Sequence, residues 1–161
     1  MTYEYAVYFK LLLLCGYKEE LQQYIDNTLI EQDPLTEIVL ELSTICTNAS
    51  KALSVLNKYL LQANDSDIDY DKAVFNLIML FLKRKYNDDS ISMKTIADLM
   101  YQLAVYSERY FNEPWQTMYY MGECFDAAEG GYLDQEDYQR KFEAFINNQV
   151  CFCDYSIPPK G

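Results

Sequence analysis

The residues of this chain whose spacing could do chemistry are carboxylates. The stretch DAAEGGYLDQED, Asp126 to Asp137, opens and closes on an acid and has Gly131 at its sixth position. A calcium loop between two helices has that outline. It needs oxygen side chains at the first, third and fifth positions, glycine at the sixth and a bidentate glutamate at the twelfth. Here the third position is Ala128 and the fifth is Gly130, so neither side chain offers an oxygen, and the last is Asp137 rather than the longer Glu. A link between two helices explains the same residues, with Gly130-Gly131 stopping the first helix and Asp134 capping the second. Calcium is therefore expected to leave the fold unchanged. A second acidic run, DSDIDYDKAVFN, places Asp65, Asp67, Asp69 and Asp71 on alternate positions. Its sixth residue is Tyr70 and its twelfth Asn76, so it reads as a solvated loop with Asp69 capping the helix that follows.

Other chemistries are excluded by composition. The chain has no histidine, which removes Ser-His-Asp and Cys-His nucleophiles and every His-containing zinc site. No G-x-G-x-x-G or Walker-type phosphate loop occurs. Cys15, Cys46 and Cys124 fall on apolar helical faces and read as buried reduced thiols, and Cys151 and Cys153 form a lone C-x-C. Carboxylate pairs at helical spacing are present, but they lie mostly on polar faces, where an ordinary pKa gives general acid–base work no support. The expectation is a non-enzymatic protein without metal or cofactor.

Charge points to partners. Twenty-five acids face thirteen bases, for a net charge of −12. Such a chain repels nucleic acid and anionic membrane surfaces and attracts basic proteins. No stretch approaches the ~18 apolar residues of a membrane span, and the start carries Glu4 where a secretory leader would be basic. A cytoplasmic protein is expected.

The elements that must position these residues are helices. Apolar residues recur with a 3.6-residue period from end to end, and no strand pair with a hairpin turn appears. A first helix from about Thr2 to Cys15 stops at Gly16, and a second runs from Lys18 to about Leu29. Asp33-Pro34 would start a third, with Leu35, Ile38, Val39, Leu42, Ile45 and Cys46 as its stripe. Asn48 caps a fourth. The fifth, about Tyr70 to Lys85, contains VFNLIMLFL and is expected to be central and buried on several sides. Its Lys83-Arg84-Lys85 end is read as cations near a helix C-terminus. The sixth spans about Ser92 to Phe111. Glu113-Pro114 opens the seventh, whose Trp115, Met118, Tyr119, Gly122 and Phe125 share a core face, with Gly122 allowing a close neighbour. The eighth runs from Asp134 to about Asn148. The whole is expected to be one all-α domain over 1–161, an irregular bundle or short solenoid of about eight helices in four antiparallel pairs (1–2, 3–4, 5–6, 7–8), with an irregular tail from about 149. The run CGYKEELQQYIDNTLIEQDP, with Gly16, Tyr17 and Pro34, resembles the second helix of a tetratricopeptide unit without that repeat's full spacing.

One constellation remains for function. From Glu113 to Asp137 there are seven acids (Glu113, Glu123, Asp126, Glu129, Asp134, Glu136 and Asp137) and no Lys or Arg. Tyr120 and Tyr132 are interleaved with them and need not face inward. Aromatic anchors ringed by one sign of charge suit contact with a basic surface. In size, charge, Tyr-rich helical hairpins and lack of a catalytic set, the chain resembles the small acidic all-α immunity proteins that bacteria keep beside secreted toxins. The resemblance implies a basic toxin partner, often a nuclease, whose cleft would be covered. The other reading is a helical-hairpin adaptor or scaffold that takes a peptide or partner helix in a groove.

Overall fold

The computed structural model describes residues 1–63, 70–88 and 91–147. Among them are eight helices and no strand: α1 (Tyr3–Leu14), α2 (Glu19–Glu31), α3 (Glu37–Ser43), α4 (Ala49–Gln62), α5 (Tyr70–Asn87), α6 (Met93–Tyr106), α7 (Trp115–Glu129) and α8 (Gln135–Asn147). The chain is all-α, as the periodicity predicts. Asp65, Asp67, Asp69, Cys151, Cys153 and the tail from about 149 lie outside the described residues.

Local chemistry sets the helix ends. Gly16 and Gly131 take positive φ, 87° and 78°, which costs a residue without a Cβ little. Each closes a helix in the same way. Gly16 N–H donates to Leu13 O and Tyr17 N–H to Leu12 O, while Gly131 N–H donates to Ala128 O and Tyr132 N–H to Ala127 O. These paired bonds satisfy carbonyls that the helix end would otherwise leave open. At helix starts, Asn48 accepts from Lys51 N–H at 3.1 Å, Ser92 from Thr95 N–H at 3.2 Å and Asp134 from Asp137 N–H at 2.8 Å. Such caps contribute ~1 kcal/mol each.

Two helices differ from expectation at their ends, and the third also stops at Ser43, before the Ile45 and Cys46 of its expected stripe. The third helix begins at Glu37, after an extended Thr36, so Asp33-Pro34 precedes it rather than starting it. The sixth helix ends at Tyr106 rather than Phe111. The Ser107 hydroxyl donates to Ala104 O at 2.6 Å and accepts from Arg109 N–H at 3.1 Å, and Glu108 turns into the left-handed region at φ 59°. A serine that bonds its own backbone offers the chain an alternative to the next helical turn.

The chain divides into two compact units, Met1–Val74 and Phe75–Gly161. In the first, α1 packs most closely on α4 and α2 on α3, with closer-to-sequence pairs α3–α4 and α1–α2 beside them. Tyr24 of α2 stacks on Tyr5 at 5.2 Å and tilts against Phe9 at 5.0 Å, both on α1. The Tyr59 hydroxyl donates to Met1 O at 2.9 Å. The helix hidden on successive positions is α1, where Leu11, Leu12 and Leu13 are all buried.

In the second unit α6 and α7 form the closest pair, and α7 also packs on α8. Gly122 makes the first contact possible. A Cβ there would lie 2.6 Å from Ala97 O and 2.7 Å from both Tyr101 N and Tyr101 Cβ. No side chain fits against a backbone that near. The described part of α5 reaches α7 through Phe75, edge-on to Trp115 at 5.2 Å, and α8 through Tyr86, edge-on to Phe142 at 5.4 Å. It is not buried all round. Val74, Phe75, Ile78, Met79, Phe81 and Leu82 are inside, whereas Lys72, Asn76, Leu80 and Arg84 are exposed and Leu77 is half-buried. The apolar run continues across the outer face because Leu80 remains there. Each fully buried side chain of this set contributes ~1.5–3 kcal/mol.

Candidate functional site

The surface from Glu113 to Asp137 consists of the outer face of α7, the turn after it and the start of α8. On α7, Tyr120, Glu123 and Asp126 follow at three-residue steps and share one exposed face. Glu129, Tyr132, Asp134 and Glu136 surround the turn, all exposed. Tyr132 is 87% exposed. Its ring lies over Gly130, where an added Cβ would be 3.1 Å from Cδ2, so the glycine seats the ring.

The seven acids divide by what they already do. Glu113 accepts from the Thr117 hydroxyl at 2.6 Å and from its N–H at 3.2 Å, which fixes the start of α7. Asp134 caps α8. Asp137 is half-buried, not fully exposed, and takes Lys141 at 2.8 Å as well as Arg140. Hydrogen bonds from Lys141 and Arg140 hold its carboxyl below the ordinary value. Asp126 has Lys94 at 3.8 Å, an exposed pair that adds little to stability. Bases from α6 and from the next turn of α8 thus reach a stretch that itself contains none. Among the described residues no hydrogen bond or ion pair engages Glu123, Glu129 or Glu136.

The twelve residues from Asp126 do not form a ligand cage. Asp126 and Glu129 belong to α7, Asp134 points to a backbone N–H, and Asp137 belongs to α8. Among the described residues no three Cys, Asp or Glu side chains converge as metal ligands would. No described helix is long and apolar enough to cross a membrane.

The structure adds aromatic residues that periodicity did not single out. Trp115 is buried, as expected, but Tyr119 is only half-buried and belongs to an outer cluster. Its ring lies 5.1 Å from Tyr101, 5.4 Å from Tyr110 and 5.7 Å from Tyr120, and Phe111 is 4.1 Å from Tyr110. A hydrogen bond with Tyr101, with burial and the nearby Glu123 carboxylate, holds the Tyr119 phenol above its usual value. Phe111 is 73% exposed. The signal for this shelf was an outward stripe on α6, Tyr101, Gln102, Val105 and Tyr106, opposite the Ile96–Leu99–Met100–Leu103 core stripe.

Cys15, which follows the last residue of α1, is a poor nucleophile. Burial pushes the Cys15 thiol up to about 12. At pH 8 roughly one such thiol in ten thousand is ionised, against about a quarter of ordinary thiols. Iodoacetamide at pH 8 should therefore label Cys15 about a thousandfold more slowly in the native chain than in guanidinium, read by peptide mass mapping. Similar rates in both would show an exposed thiol.

No known family, curated protein or solved structure matches the chain significantly.

Proposed function

We propose that the chain is a non-enzymatic binding protein that covers a basic protein with its α7 face and the α7–α8 turn, in the manner of an immunity protein that blocks a toxin. The observation that carries this reading is the combination at one surface of three unengaged carboxylates, Glu123, Glu129 and Glu136, with the exposed rings of Tyr120 and Tyr132. The net charge of −12 supplies long-range attraction to a basic partner. The rings supply rigid apolar area that slows dissociation once solvent is displaced.

The test is capture of the partner from the native cell, followed by binding kinetics. The on-rate should fall as salt rises, since screening sets in over ~8 Å at physiological ionic strength. Reversing Glu123, Glu129 and Glu136 to Lys should slow association about tenfold or more, with stability changed by only ~0.5 kcal/mol per site. Tyr132→Ala should act on the off-rate. An acidic partner, or an on-rate indifferent to both salt and the triple reversal, would overturn the proposal.

A second reading, an adaptor, draws on a hollow of about 830 Å³ along α4, where Leu53, Asn57, Lys58 and the outward Leu61 line an open face. All its lining residues come from α4, so it is one helix face without a second wall. A captured partner whose binding fails with Leu61→Asp and survives the triple reversal would favour it.

A further inference from the structure

We infer that the aromatic shelf on the α6–α7 seam is a seat for an arginine side chain of the basic partner. This rests on the binding reading above and names the chemistry of one contact within it. The shelf is built from Tyr101 of α6, Tyr119 and Tyr120 of α7, and Tyr110 and Phe111 of the connection between those helices. Tyr101, Phe111 and Tyr120 are exposed. Glu123 lies one turn beyond Tyr119 and Tyr120 on the same face, its carboxylate close enough to act on the Tyr119 phenol.

The same seam already holds one cation in this kind of surrounding. Lys94 of α6 places its ammonium 5.7 Å from the Phe125 ring centre and 3.8 Å from the Asp126 carboxylate, both on α7. A ring and an adjacent carboxylate together attract a cation through the ring's negative face and through ordinary charge. Moving along the antiparallel seam past Gly122, Tyr119 and Tyr120 take the place of Phe125, and Glu123 that of Asp126. Tyr101 stands on α6 where a base would complete the set. Lys94 is the single base of α6, and α7 has none. The base of the connection, Arg109, is half-buried and engaged within the protein. Charge complementarity therefore asks the partner for the cation.

Arginine fits better than lysine for two reasons. Its flat guanidinium stacks on ring faces and is more weakly hydrated than an ammonium. Its five N–H donors can also reach tyrosine hydroxyls and the Glu123 carboxylate together. Tyr119 lies at 25° to Tyr110 and 34° to Tyr101, and the exposed Tyr120 stands at 77° to it, so the shelf presents rings in more than one orientation.

The experiment titrates hexa-arginine and hexa-lysine peptides of equal charge into the full, isotope-labelled chain at fixed ionic strength, with NMR shifts as the readout. Hexa-arginine should bind about fivefold or more tightly than hexa-lysine, with shifts centred on 101, 110–111 and 119–123. Phe111→Ala and Tyr120→Leu, both at exposed sites, should bring the two affinities together by weakening hexa-arginine more than hexa-lysine. Equal affinities for the unaltered chain, no binding of either peptide, or shifts centred on the α7–α8 turn overturn the seat. If the seat fails while the triple reversal still slows the partner, the binding surface stands without it. If arginine preference holds while the partner ignores the reversal, the shelf takes arginine peptide but the surface proposal, and with it the seat's role toward that partner, fails.

Discussion

Gly122→Leu should destabilise the second unit by about 3 kcal/mol and disperse the aromatic shelf. A helix-interior glycine usually costs ~1 kcal/mol relative to alanine, so Gly122→Ala would stabilise if only the helix mattered. The surroundings reverse that sign. The new carbon would sit 2.6 Å from Ala97 O and 2.7 Å from Tyr101 N. These are backbone atoms and cannot rotate aside, so α6 and α7 must part. Alanine should therefore lose stability in urea, and leucine should lose more. Because Tyr101 is itself at the crossing, its separation from Tyr119 should appear as changed ring shifts even in the folded alanine variant. An alanine variant more stable than the original chain would show that the two helices are not this close.

Ile78→Asp should abolish cooperative folding, whereas Leu80→Asp should change stability by only ~0.5 kcal/mol. The two positions lie on opposite faces of α5. Ile78 is fully buried and Leu80 is 42% exposed. A carboxylate at 78 must either lose its hydration unpaired or take up a proton, and both outcomes are costly. The penalty is several kcal/mol, comparable with the ~5–15 kcal/mol that holds a domain together. From the sequence, Leu77 is the natural target, but it is half-buried. One residue along a helix turns the side chain by about 100°, enough to move it from the edge of the core to its centre. Chemical denaturation monitored by circular dichroism separates the two variants. A cooperative, native-like Ile78→Asp chain would contradict the packing of α5.

These tests also mark what was legible in the sequence. Periodicity located each helix among the described residues, and Gly16, Asn48, Gly130-Gly131 and Asp134 marked the ends they were expected to mark. The end of α6 was missed because the pattern of apolar residues carries no trace of a serine hydroxyl bonding back to Ala104 O. The pairing of α1 with α4, of α2 with α3 and of α6 with α7 was missed for another reason. A stripe says that a face is buried, but not against which partner. In the candidate surface, the exposed positions of Tyr120, Glu123 and Tyr132 followed from spacing and turn chemistry. The shelf did not, because Tyr101 and Tyr119 are forty degrees or so from their core neighbours on a helical wheel and meet only where Gly122 lets the helices touch.

The division among the carboxylates has a consequence for how this surface can change. Glu113 and Asp134 hold helix starts, so a substitution there alters the fold before it alters any contact. Glu123, Glu129 and Glu136 have no such duty in the described structure. A library randomised at these three codons should yield mostly folded chains, and selection on it can rewrite recognition without passing through unstable intermediates. Mutational freedom and surface chemistry coincide at the same three positions.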